Sequence, residues 1–147
     1  MRILAIVFAL LLACPCCMCG YVSSGTWEDD PDNWARAFQS SKPSDVKILH
    51  SYYWRSPHWS DEFQYFFEVE HSDQFKRHLF TGKKLTQLAG KDAITAKTDF
   101  FGEVPEWFAP KSIENYEVWV YEKARRGNFR IFIDRETGNI FLTDYSV

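Results

Sequence analysis

The chain has 147 residues, of which 46% are hydrophobic and 18% aromatic, and its 17 Lys and Arg against 20 Asp and Glu leave a net charge of −3. That length fits one domain of ordinary size, and 13 Phe, 7 Tyr and 6 Trp provide abundant core material. The charge balance excludes nucleic acid as the principal partner, because phosphate binding relies on a basic stripe that sheds counterions; the pairs Lys83-Lys84 and Arg125-Arg126 read as solvated surface.

Met1 and Arg2 form a short positive start, and residues 3–12 are an uninterrupted apolar stretch. Ten residues are too few to cross a bilayer as a helix, which needs about 20, so residues 1–13 read as a signal peptide. The next motif, Leu11-Leu12-Ala13-Cys14, resembles the lipobox of bacterial lipoproteins; the resemblance covers residues 1–14 only. It implies cleavage after Ala13 and lipid attachment at Cys14, hence a membrane-anchored protein of the cell envelope facing the periplasm or the exterior. Cleavage by ordinary signal peptidase after Cys19 or Gly20 is the alternative, and it would give a secreted protein.

Cys14, Cys16, Cys17 and Cys19 form C-x-C-C-x-C, a pattern that resembles metallothionein-type thiolate clusters. An acylated Cys14 is no ligand, and no cysteine follows Cys19. Disulfides within this stretch would close only tiny loops. The cluster therefore reads as part of a tether over residues 14–26, rich in Gly and Ser, with about 40 Å of reach when extended.

Residues 27–147 read as one domain. Asp30 and Pro31 mark a helix start, and Trp34, Ala37 and Phe38 follow as one apolar stripe. Glu28, Asp29, Asp30 and Asp32 gather at that start, either complementing the helix dipole or forming a cation site; the dipole is the simpler account. From Val46 the period becomes two, with Val46, Ile48, His50, Tyr52 and Trp54 on one strand face and Lys47, Leu49, Ser51, Tyr53 and Arg55 on the other. A second strand groups Phe63, Tyr65, Phe67 and Val69, with Gln64, Glu68 and Glu70 outward, and pairs with the first.

Ser72 or Asp73 caps a short helix containing Phe75 and Leu79 that ends near Gly82. Residues 83–103 read as an irregular crossing segment with room for a short strand. Residues 104–108 make a turn that drives Trp107 and Phe108 inward. Strands follow at residues 116–121, 128–134 and 140–145, the last two joined by a hairpin loop in which Gly138 supplies positive φ. The expected fold is α+β, an antiparallel sheet of about five strands with helices packed on one face.

No nucleophile elbow, paired-histidine zinc motif, phosphate loop or dinucleotide fingerprint is present. No catalytic residue, metal ligand or cofactor is assigned. Of the four histidines, His50 reads as a hydrogen-bonded core imidazole, and His71 and His78 stand seven apart without a tight ligand pair. The densest polar and aromatic stretch surrounds a turn: Trp54, Arg55, His58 and Trp59 form the candidate binding surface, with rings to stack on a glycan or an envelope-protein partner and a guanidinium to meet a carboxylate. Trp54 is expected to be core-like and Trp59 the exposed ring. The expected function is that of a lipid-anchored, non-enzymatic binding or interaction domain; the alternatives are a secreted inhibitor or immunity-type binder, and a metal-dependent hydrolase using the histidine regions.

Overall fold

In the computed structural model, which describes residues 24–57, 62–82, 84–108, 112–121 and 128–147, two antiparallel meanders join into one sheet. Residues 1–23, with Cys14, the signal and most of the tether, lie outside the described residues, as do His58, Trp59, Lys83, Arg125 and Arg126. The first meander comprises β1 (Gly25–Glu28), β2 (Ile48–Arg55) and β3 (Phe63–Val69). The second comprises β4 (Leu85–Leu88), β5 (Tyr116–Tyr121), β6 (Arg130–Asp134) and β7 (Ile140–Ser146). Strands β3 and β7 pair from Phe63↔Ser146 to Val69↔Ile140, giving the order β1-β2-β3-β7-β6-β5-β4 with every neighbour antiparallel.

The described residues hold seven strands where about five were expected. The two extra strands are the edges, β1 and β4, each of four residues and too short to show a period. The pairing of β1 with β2 also starts at Gly25, inside the stretch expected to be tether.

Alternation along the strands builds two cores, one on each face of the sheet. On one face Tyr65, Phe67, Val69, Ile131, Ile133, Ile140 and Leu142 pack beneath α1 (Asn33–Phe38) and α2 (Asp73–Phe80). Helix α1 contributes Trp34, Ala37 and Phe38, the stripe expected from its spacing, and α2 contributes Phe75 and Leu79. On the other face Tyr52, Phe66, Val118, Phe132 and Phe141 pack beneath α3 (Gly90–Thr98) and residues 99–108. The expectation of helices on one face is therefore corrected. Phe66 and Phe67 are neighbours in sequence and both fully buried, so each face of β3 needs its own cover.

Local chemistry explains most boundaries. The Ser72 hydroxyl accepts the Phe75 N–H at 3.1 Å and starts α2. Asp30 accepts the Asp32 N–H and an Arg36 guanidinium N–H, both at 2.8 Å, so α1 begins at Asn33, after a turn. The Arg36 hydrogen bond is the first cause holding the Asp30 carboxyl below its usual range. Asp29 accepts the Ser51 N–H at 2.8 Å, so two of the four clustered carboxylates have structural partners.

The β6–β7 hairpin turns as its sequence dictates: Gly138 has φ of 76°, and its N–H donates to the Asp134 carbonyl at 2.9 Å. A Cβ at this position would sit 2.4 Å from His71 Nδ1. Glycine is required there for backbone sign and for space alike.

A bulge sets the position of the candidate site. The β2–β3 register shifts between Ile48 and His50, and an extra residue in one strand reverses the alternation beyond it. Val46 and Ile48 therefore pack in the core beneath α1 and α2, whereas Tyr52 and Trp54 lie on the opposite face. The single five-residue face read from the sequence is two half-faces.

Candidate ligand-binding cleft

Beyond the bulge, β2 presents Tyr52 and Trp54 next to the end of the residue 99–108 crossing. Phe100 and Phe101 at the start of that crossing point different ways. Phe100 packs into the core, 5.5 Å from the Phe66 ring and 6.0 Å from Phe108. Phe101 is 48% exposed and lies 5.8 Å from the Trp54 ring and 6.4 Å from Tyr145.

Gln64 fixes this arrangement. It is 1% exposed, its Oε1 accepts the Gly102 N–H at 2.7 Å, and its Nε2 donates to the Glu103 carbonyl at 3.5 Å. The side-chain amide thus takes the place of a strand partner for the crossing chain. The sequence reading placed Gln64 outward; it is instead the satisfied polar floor of a cleft of about 320 Å³ whose walls are Thr26, Tyr52, Trp54, Phe101 and Glu103. That volume is at the lower end of small-molecule sites.

The cleft is electronegative. Glu28 and Thr26 sit opposite Tyr52 and Trp54 on β1, and Glu28 and Glu103 are exposed. The Tyr52 hydroxyl is raised above its ordinary pKa, first by burial, then by the carboxylates of Glu103 and Glu28, against the opposing hydrogen bond from Thr26. Further along the same face, His50 stacks on Trp107 at 5.3 Å and its Nδ1 lies 3.4 Å from Asp29 Oδ2. His50 is thus a half-exposed edge residue and not a core imidazole.

Of the four residues nominated from sequence, Trp54 lines this cleft and Arg55 does not. Arg55 follows Trp54 on an alternating strand and lines a separate hollow of about 370 Å³ on the opposite face, with Arg36, Phe38, Tyr53 and Phe63. His58 and Trp59 lie outside the described residues. Thr26, Tyr52, Gln64, Phe101 and Glu103 were missed. A Phe-Phe-Gly sequence in a crossing segment was the available signal: one ring can enter the core only if its neighbour faces away.

His71 and His78 do not build a centre. His71 Nδ1 lies 3.4 Å from the Gly138 carbonyl and its Nε2 3.6 Å from Asp73. Among the described residues, no group of three or more His, Cys, Asp and Glu could hold a metal ion, and no helix is long and apolar enough to cross a membrane.

Away from the cleft, Asp144 on β7 is the carboxyl most displaced in its titration among those resolved, pushed up to about 6. Burial is the first cause; the N–H groups of Asn128 and Tyr145 and the charge of Arg130 oppose it. It pairs in register with Tyr65, whose hydroxyl burial and the Asp144 charge raise in turn.

A folded-state pKa above the unfolded one means the native chain holds the extra proton, so stability falls as pH rises from about 4 to about 6. The ionised carboxylate then costs about 2 to 3 kcal/mol at neutral pH. Asp144→Asn is therefore expected to raise the urea midpoint at pH 7 and to match the parent chain near pH 4. A variant less stable at pH 7 would show that the charge itself holds a needed contact.

Comparison with family models, with curated protein sequences and with solved structures finds no match.

Proposed function

We propose that this chain is a lipid-anchored cell-envelope protein whose folded domain is a non-enzymatic binding module, and that the Trp54 cleft is its ligand-contact surface. The contact of a half-exposed Phe101 with the partly buried Trp54 carries the reading. A ring left half in solvent beside a second, partly buried ring and above a satisfied polar floor is material for contact: it gains burial only when something covers it. Support for the anchor comes from the lipobox-like Leu11-Leu12-Ala13-Cys14, and the domain follows within a short tether of the proposed attachment point.

The anchor and the cleft are tested separately. Intact mass of the membrane-extracted chain is expected to show an N-terminal diacylglyceryl-cysteine at Cys14, lost in Cys14→Ser; an unmodified N-terminus near Gly20 or Tyr21 would refute the anchor. For the cleft, a mixed set of small sugars, amino acids, amines and carboxylates is scanned against the detergent-solubilised chain by ¹H–¹⁵N spectra. Binding is expected to move the Trp54 indole N–H and the amides of Gly102 and Glu103. Phe101→Ala should abolish those shifts while changing stability by less than about 1 kcal/mol, as for a half-exposed residue. Shifts confined to other faces, or none with the whole set, would sink the reading.

A further inference from the structure

Resting on the reading that the Trp54 cleft binds a ligand, we propose that its ligand class is a small quaternary ammonium cation. Two observations select this class. The first is the wall chemistry: Tyr52, Trp54 and Phe101 line the space, the last two with ring centroids 5.8 Å apart, and aromatic rings attract cations through their quadrupoles. The second is charge. Glu103 lines the cleft and Glu28 stands beside it on β1, whereas no Lys, Arg or His is among the described residues that line it. Arg55, the nearest guanidinium along β2, is on the other face of the sheet.

The same inventory disfavours other ligands of similar size. A sugar presents several hydroxyls, each needing a directed partner, and gains nothing from the negative charge of the cleft; the Gln64 amide keeps only one oxygen lone pair and one N–H beyond its bonds to Gly102 and Glu103. An anion would meet two carboxylates. A primary ammonium is strongly hydrated and needs acceptors for three N–H groups; the Glu103 carboxylate can take some of them, but the ring walls of Tyr52, Trp54 and Phe101 favour C–H surface over N–H donors. A quaternary ammonium has no N–H to satisfy. It offers only C–H surface to the rings, while its charge is balanced by Glu103 and Glu28. A free cation is also favoured over a phosphorylated headgroup, because the phosphate would lie against those same acids.

Calorimetric titration of the full detergent-solubilised chain tests this with four probes: choline, its uncharged isostere 3,3-dimethylbutan-1-ol, phosphocholine and Nα-acetyl-lysine methylamide. Choline is expected to bind at least about tenfold more tightly than the isostere and to weaken as salt is raised. Glu103→Gln should weaken choline about threefold or more without affecting the isostere, and Phe101→Ala should weaken both. Each replaced side chain is exposed, so these variants test contact without removing core.

Phosphocholine binding more tightly than choline would keep the ammonium class and move its source to a headgroup. Equal binding of choline and the isostere, or preference for the lysine derivative, would overturn the quaternary ammonium assignment while leaving the cleft a binding site. If none of the four binds but other members of the mixed set still shift Trp54, the ligand class fails alone. If nothing shifts Trp54, both readings fail.

Discussion

Phe108→Ala is expected to lower the unfolding free energy by about 3 to 5 kcal/mol, the usual range for truncating a fully buried Phe. Phe108 is 1% exposed and sits at the centre of the core beneath α3. Its ring lies 4.6 Å from Phe66, 5.7 Å from Phe141 and 6.1 Å from Phe132, three rings on three strands. A methyl group there leaves a void that neighbours held on β3, β6 and β7 are poorly placed to fill. The loss also has a local signature, because Phe108 and Gln64 fasten the two ends of the segment that carries Phe101 and Glu103. Urea melts give the magnitude, and the Gly102 amide should lose hydrogen-exchange protection before the β3–β7 amides do. A loss below about 1 kcal/mol would mean that this face is not a packed core.

The hairpin at residues 135–139 and the two helical stripes were legible because each is local. Gly138 marks the turn, and Trp34-Ala37-Phe38 or Phe75-Leu79 marks a face within one or two helical turns. Helix α3 was not legible: it buries only Ala93 and Ala96, and two alanines give little hydrophobic contrast. The β2 bulge was hidden for a related reason. Leu49 and Tyr53 are as apolar as the residues they displace, so a reversed alternation leaves no mark in the pattern.

Trp54 was found because it stands in an aromatic run, but its partners Gln64, Phe101 and Glu103 come from two other segments and meet it only in the folded sheet. Arg55 is separated from Trp54 by the strand itself, since consecutive strand residues point to opposite faces.

Arg130→Ala is expected to cost about 3 kcal/mol, the lower end for breaking a buried ion pair. Arg130 is 5% exposed, and its guanidinium closes the C-terminal end of α3. It donates to the Ala96 carbonyl at 3.2 Å and to the Asp99 carbonyl, and it pairs with the Asp99 carboxylate at 2.7 Å. Phe100 and Tyr145 flank it, with ring centroids 5.8 and 5.7 Å from Cζ. Truncation leaves helix-terminal carbonyls without their donors, at the end where the helix dipole favours a cation.

The partners are unequal, however. The Asp99 side chain is 53% exposed and can return to water, which is why the lower end of the range applies. Asp99→Ala should accordingly cost only about 1 kcal/mol, since the two main-chain contacts survive it. Arg130→Lys should recover little, because a single ammonium cannot span two carbonyls and a carboxylate as the planar fork does. Denaturant melts of the three variants check this ordering. If Asp99→Ala proved as costly as Arg130→Ala, the ion pair and not the helix end would be what Arg130 secures.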